Sequence, residues 1–240
     1  MPFQRKIFYD TIRESIYGGK LSSDQVGGFE TLLDAWEADY TNQDDRLLAY
    51  CLATAHHETS ATLQPIEEYG SDARAERLYG PKGKNPARAK RMGNTKVGDG
   101  ARYKGRGYVQ LTWKKNYLRA GNVLGADLVE RPFLALRSDY AARILFQGCL
   151  KGWFTGRRLS DYITDGKTDY VNARRVVNGT DKARKIAAYA VEFEAALSDA
   201  RHAPAPDASP PPKPTPKPRK TGIVAAILAI LEALTGGRKK

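Results

Sequence analysis

Cysteine is scarce, with Cys51 and Cys149 the only two in 240 residues. Two thiols cannot build a disulfide scaffold or a four-ligand zinc site, and they fit a chain made in a reducing compartment. Histidine is nearly as rare. The zinc-protease pattern H-E-x-x-H starting at His57 needs a histidine at 61, where Ala61 stands, and the remaining histidine is the distant His202. No metal and no cofactor are expected, and His56 and His57 read first as helix-packing and hydrogen-bonding residues. No apolar run is long enough to span a membrane. The best candidate, IVAAILAILEAL at 223–234, is interrupted by Glu232. It covers roughly 18 Å of helix, against a bilayer core of about 30 Å. The first residues, MPFQRKIFYDTIRES, turn polar at the fourth position. No secretory signal is therefore expected, and synthesis is expected in the cytoplasm.

Charge, by contrast, is plentiful: 39 Lys and Arg against 27 Asp and Glu, a formal net of +12. That excess suggests an anionic partner, whether nucleic acid, a membrane surface or an acidic wall polymer. Its distribution narrows the choice. Residues 1–69 carry 5 basic and 12 acidic side chains, whereas residues 70–107 carry 11 and 3. An acidic quarter facing a basic middle is not the uniformly basic groove that follows a phosphate backbone, so nucleic acid is not expected as a partner.

Residues 203–220, APAPDASPPPKPTPKPRK, hold 8 of the 13 prolines. Such a stretch favours polyproline II and buries no core, so it reads as a linker. The chain therefore divides into a domain at 1–202, a linker at 203–220 and a short apolar and basic helix at 221–240. With Arg238, Lys239 and Lys240 behind it, that helix could touch a membrane interface, dock on the domain or self-associate.

Within 1–202 the periodicity is mostly helical. Phe8, Ile12 and Ile16 share a helical face that Gly18 and Gly19 terminate. Ser22 or Ser23 can cap a second helix with Val26, Phe29, Leu33 and Trp36 on its apolar stripe. Asp44 or Asp45 can start a third, DDRLLAYCLATAHHETS, and residues 183–200 again read as helix. Only RGYVQLTW, at 106–113, alternates like a strand. The expectation is a mainly α domain with a small β element.

In the third helix Leu48, Cys51, Ala55 and Glu58 follow spacings of three and four, so Glu58 ends the apolar stripe. Partial desolvation and the negative end of the helix dipole both suit a carboxyl that donates a proton. Position alone equally allows a solvated residue in the last turn. Pro65 then ends helical geometry, and Glu67 and Glu68 in LQPIEEYG could turn back to face Glu58. Two carboxyls in different environments are the minimum equipment for glycoside hydrolysis, although paired acids are common on surfaces. Strand alternation puts Tyr108, Gln110 and Thr112 on one face, offering a phenol, an amide and a hydroxyl to a sugar or a water. Gly105 and Gly107 permit close backbone approach. In RRVVNG, residues 174–179, Arg174 and Arg175 precede a turn at Asn178-Gly179, and by themselves they read as solvated.

AHHETS around Glu58, then PIEEYG, YKGRGYVQLTWKKNY and RRVVNG, in that order, resemble the family 19 glycoside hydrolases. SIYGGKLSSDQVGGFETLLDAWE resembles the N-terminal helices of that family's phage endolysin branch, so the likeness runs from about residue 5 to 200. It implies a mainly α, two-lobed, lysozyme-like domain with a small β element, the C-terminal helical tail being additional. It makes Glu58 the catalytic acid, and Glu68, or else Glu67, the carboxylate that activates water. His57, Tyr108, Gln110, Thr112, Arg175 and Asn178 become substrate-binding residues. Ser60 stands where many members have glycine, and the plant enzymes' disulfides are absent.

The implied chemistry is cofactor-free, inverting hydrolysis of β-1,4 bonds. The expected substrate is the peptidoglycan glycan strand, cut by an endolysin-type enzyme that causes bacterial wall lysis. It would reach the wall or periplasm after release from the cytoplasm, as a monomer with no obligate protein partner. Chitin is the alternative substrate. A lytic transglycosylase, or a non-catalytic basic protein that binds wall or nucleic acid, are the remaining rivals.

Overall fold

The computed structural model describes residues 3–202. The linker expected at 203–220 and the helix expected at 221–240 lie outside the described residues. In chain order the elements are α1 (Arg5–Ser15), α2 (Ser23–Asp39), α3 (Asp45–Glu58), β1 (Ile66–Glu67), α4 (Asp72–Tyr79), α5 (Pro86–Arg91), α6 (Asp99–Arg102), β2 (Arg106–Gly107) and α7 (Lys114–Leu124). They continue with α8 (Ser138–Lys151), β3 (Ile163–Thr164), β4 (Lys167–Thr168), α9 (Tyr170–Ala173) and α10 (Ala183–His202). The fold is mainly α with two short antiparallel ribbons, β1–β2 and β3–β4.

Local chemistry accounts for the first helices. α1 buries Phe8, Tyr9 and Ile12. At α2 the Ser22 hydroxyl accepts from the Gln25 N–H while the Gln25 side chain accepts from the Ser22 N–H, a reciprocal cap. Asp44 caps α3 by accepting from the Arg46 N–H at 2.8 Å. Every residue of α3 from Leu47 to His56 is buried, so this is the helix around which the domain is built. It packs on α10 and α8, while α1 lies on α10 and α2 on α8. Trp36 ties α2 to α8 by meeting the ring of Phe146 edge-on at 5.1 Å. Rings buried in this way stabilise by about 1.5–3 kcal/mol each.

Residues 106–113 do not form the expected strand. Only Arg106 and Gly107 are extended, pairing with Glu67 and Ile66 of β1. The chain then turns back so that Leu111 bridges to Arg106. Gly107 at φ 83 and Gln110 at φ 52 make that reversal possible. The alternation of faces is lost as a consequence: Tyr108 and Val109 are adjacent yet both buried.

The chain leaves α3 through a constrained loop, with Ser60, Ala61 and Leu63 all left-handed at φ 51, 66 and 54. Such conformations cost about 1–3 kcal/mol per non-glycine residue and persist only where the surroundings enforce them. Here α2 enforces them. The Gln25 amide donates to the Ala61 carbonyl at 2.9 Å, and the Gln64 amide donates to the Asp24 carbonyl at 2.7 Å. A Cβ on Gly28 would stand 2.1 Å from the Leu63 carbonyl oxygen, so glycine is required for this approach. The loop carries the chain from Glu58 to β1. Its geometry also accounts for the glycine that the family resemblance leads one to expect at Ser60.

Candidate active site

Glu58 is the last residue of α3, with its side chain 19% exposed. Arg174 Nη1 donates to Glu58 Oε1 at 2.7 Å, from 116 residues further along the chain. The Arg174 side chain is only 3% exposed, and its Nε donates to the Asp181 carbonyl at 3.1 Å. Thus the end of α3 is not an isolated carboxyl: a buried guanidinium holds one of its oxygens. The preceding histidines differ from each other. Burial, aided by His57 and Lys185, pushes His56 down to about 4, and its Nδ1 shares a hydrogen bond with the Tyr17 hydroxyl at 2.8 Å. Neutral and packed edge-on against Tyr189 at 4.4 Å, His56 is a structural residue. His57 is half-buried beside Glu58. Desolvation lowers it below the ordinary histidine range, with Arg174 and Lys185 adding to the effect and Glu58 opposing it.

Glu67 and Glu68 lie at and just after the end of β1, and successive extended residues point to opposite sides. Glu67 falls among cations: Lys104 Nζ is 2.7 Å from its Oε1, and Arg106 Nε is 2.7 Å from its Oε2. Those cations are 9% and 8% exposed, and each is held elsewhere, Lys104 by Asp72 and Arg106 by the Tyr117 hydroxyl. Burial works to raise the Glu67 carboxyl, yet Lys104 and Arg106 outweigh it and hold Glu67 below the usual carboxylate range. With both oxygens in ion pairs, Glu67 is poorly suited to take a proton from water.

Glu68 has gentler partners. The Tyr79 hydroxyl donates to its Oε1 at 3.0 Å, and the Gly105 N–H donates to its Oε2 at 3.3 Å. Arg74 Nη1 stands off at 3.9 Å. The Glu68 N–H donates to the Gly105 carbonyl at 2.8 Å, which continues the ribbon and fixes the backbone. A Cβ at Gly105 would meet Gln110 Oε1 at 2.7 Å and Glu68 Oε2 at 3.3 Å. Glycine here therefore lets Gln110 and Glu68 converge on one spot.

The remaining expected site residues separate. Gln110 Nε2 donates to the Ile66 carbonyl at 3.1 Å, bracing β1, and the Thr112 hydroxyl donates to the Gln110 carbonyl at 2.7 Å. Tyr108 is completely buried, which corrects its expected place on a substrate-facing strand: the turn after Gly107 sends it into the core. Arg175 and Asn178 are exposed. The cation on Glu58 is Arg174, next to the expected Arg175. Residues 174–176 form a tight 3-10 turn in which consecutive side chains diverge, and Arg174 and Val176 point inward. Nothing in the RRVVNG string marks which arginine is the buried one. Tyr79, Arg74 and Trp113 were likewise missed, since each acts through a fold contact that no local pattern reveals.

A groove of about 620 Å³ adjoins this region, lined among others by Gln110, Thr112, Trp113, Asn116, Arg88 and Arg91.

The sequence model for class I chitinases, family 19 of the glycoside hydrolases, matches residues 24–166. Among solved structures, chitinase C from Streptomyces griseus HUT6037 is similar with a TM-score of 0.55 at 19% identity, covering 81% of this chain and 76% of that one. A mutant form of chitinase C gives a TM-score of 0.51 at 19% identity, covering 82% and 92%. At that identity the likeness speaks for the fold. No curated protein matches the chain.

Proposed function

The chain belongs to the class I chitinase family of glycoside hydrolases, and we propose that it is an endolysin-type glycosidase that cuts β-1,4 bonds of peptidoglycan with inversion. Glu58 gives its proton to the glycosidic oxygen as that bond breaks, and Arg174 becomes the counter-ion of the carboxylate that forms. Glu68, oriented by Tyr79 and Gly105, takes a proton from the water that attacks the anomeric carbon from the opposite face. The sugar leaves as the α-anomer, and exchange with solvent restores both carboxyls. Gln110 keeps β1, and so Glu68, in place.

The observation that carries the assignment of Glu68 as the base is the contrast between neighbours: Glu67 is closed off by two cations, whereas Glu68 receives a hydroxyl and a backbone N–H. The basic surface of residues 70–107 favours an anionic wall over a neutral polymer. The second reading, chitin hydrolysis, draws on the chitinases among the similar structures. The test is turbidity loss of outer-membrane-stripped cells, with mass spectrometry of the released fragments. The wild type should lyse cells and leave reducing ends, and Glu58→Gln should be slower by about a thousandfold or more. Anhydro-sugar ends would mean a transglycosylase. No lysis beside strong activity on chitin oligomers would favour the second reading.

A further inference from the structure

The 620 Å³ groove is polar, and no aspartate or glutamate lines it. Arg88 and Arg91, three residues apart on α5, both border it and both are exposed. Both guanidiniums therefore face the groove with no carboxylate among its lining residues. The groove is joined to the candidate site through side chains. The Arg88 guanidinium lies over the Trp113 ring, 5.3 Å from its centroid. Trp113 in turn meets Tyr79 edge-on at 5.2 Å, and Tyr79 donates to Glu68. Gln110 borders the groove and also converges with Glu68 on Gly105. Thr112 and Asn116 add a hydroxyl and an amide to the wall.

A polymer of N-acetylglucosamine is neutral and offers two guanidiniums hydroxyls and amide carbonyls but no charged partner. A glycan strand with peptide side chains carries carboxylates tethered within a few residues of the sugar backbone. Arginine's planar fork matches a carboxylate with two parallel hydrogen bonds, and stacking on Trp113 pre-orients that fork. We propose that Arg88 and Arg91 form a subsite for a carboxylate of the glycan's peptide substituent, beside the water-activating carboxyl. It is thus a specificity device for peptide-bearing strands. This rests on the peptidoglycan reading above.

The test uses the full chain and its Arg88→Gln/Arg91→Gln variant, with three substrates. These are intact peptidoglycan, the same material with its carboxylates converted to methylamides by carbodiimide coupling, and strands stripped of peptide by an amidase, which keep the lactyl carboxylate. On intact peptidoglycan the variant should lose roughly tenfold to a hundredfold in kcat/KM, mainly through KM. The gap between wild type and variant should close on the methylamide and on the stripped strands. The Arg88→Lys/Arg91→Lys variant should recover part of the loss. An equal loss on all three substrates, or none on the intact one, would overturn the subsite while leaving the peptidoglycan reading standing. A gap that persists on stripped strands alone would overturn the assignment to peptide. Failure of the wild type to cut intact peptidoglycan would overturn both.

Discussion

The end of α3 and the β1–β2 ribbon each carry a candidate carboxyl, Glu58 and Glu68, and the two have different surroundings. At Glu58 the partner is a single buried guanidinium, recruited across 116 residues. On the ribbon the closest cations are drawn to Glu67, which leaves Glu68 with a phenol, a backbone N–H and the more distant Arg74. A hydrolase that inverts needs one carboxyl to lose a proton while another gains one. The different partners make the two carboxyls unequal, as that division of roles requires. Net charge alone does not convey it, because the cations near the ribbon are spent on the neighbouring residue.

Removing the guanidinium should have the largest effect on this contrast. Arg174→Gln leaves a mostly buried carboxyl without its partner, and it should cost about 3 kcal/mol of stability. Loss of orientation at Glu58 should also lower kcat by about a hundredfold, measured well below the variant's own melting temperature. An unchanged kcat would remove Arg174 from the account of the α3 end.

The packing of that same end is open to a gentler test through pH. Folded His56 accepts a proton only near 4, whereas an unfolded histidine does so near about 6.5. Its neutral packing therefore contributes full stability above about pH 6.5, and that contribution is lost as pH falls towards 4. The loss should reach about 3 kcal/mol at most, in denaturant titrations across that window. His56→Leu should flatten the slope. The ribbon, which has no such histidine, offers no comparable dependence there.

Much of the helical frame was legible in the sequence, for identifiable reasons. The caps at Ser22 and Asp44 and the stripe of Phe29, Leu33 and Trp36 are local signals, and local signals suffice for a helix. The period of α3 runs up to its last residue, Glu58, while the role given to Glu58 came from the family resemblance. The ribbon was less legible. Alternation in residues 106–113 suggested a strand, but Gly107 and Gln110 adopt left-handed conformations and fold the segment on itself. The different surroundings of Glu67 and Glu68 arise from Lys104 and Arg106, which are 37 and 39 residues away from Glu67 and reach it only in the folded chain. Arg174 and Arg175 are chemically identical neighbours, and a 3-10 turn decides which one is buried. Periodicity does not encode any of these three outcomes.

The sharpest test of the contrast is to compare two substitutions one residue apart. The kcat of Glu67→Gln and of Glu68→Gln on purified glycan strands should be measured beside their melting temperatures. Glu68→Gln should lose about a hundredfold or more in kcat and melt near the wild type. Glu67→Gln should retain kcat within a few fold but lose about 2 kcal/mol of stability, as Lys104 and Arg106 are left without their shared partner. The reverse pattern, with Glu67→Gln inactive and Glu68→Gln active, would contradict the assignment of Glu68 as the base.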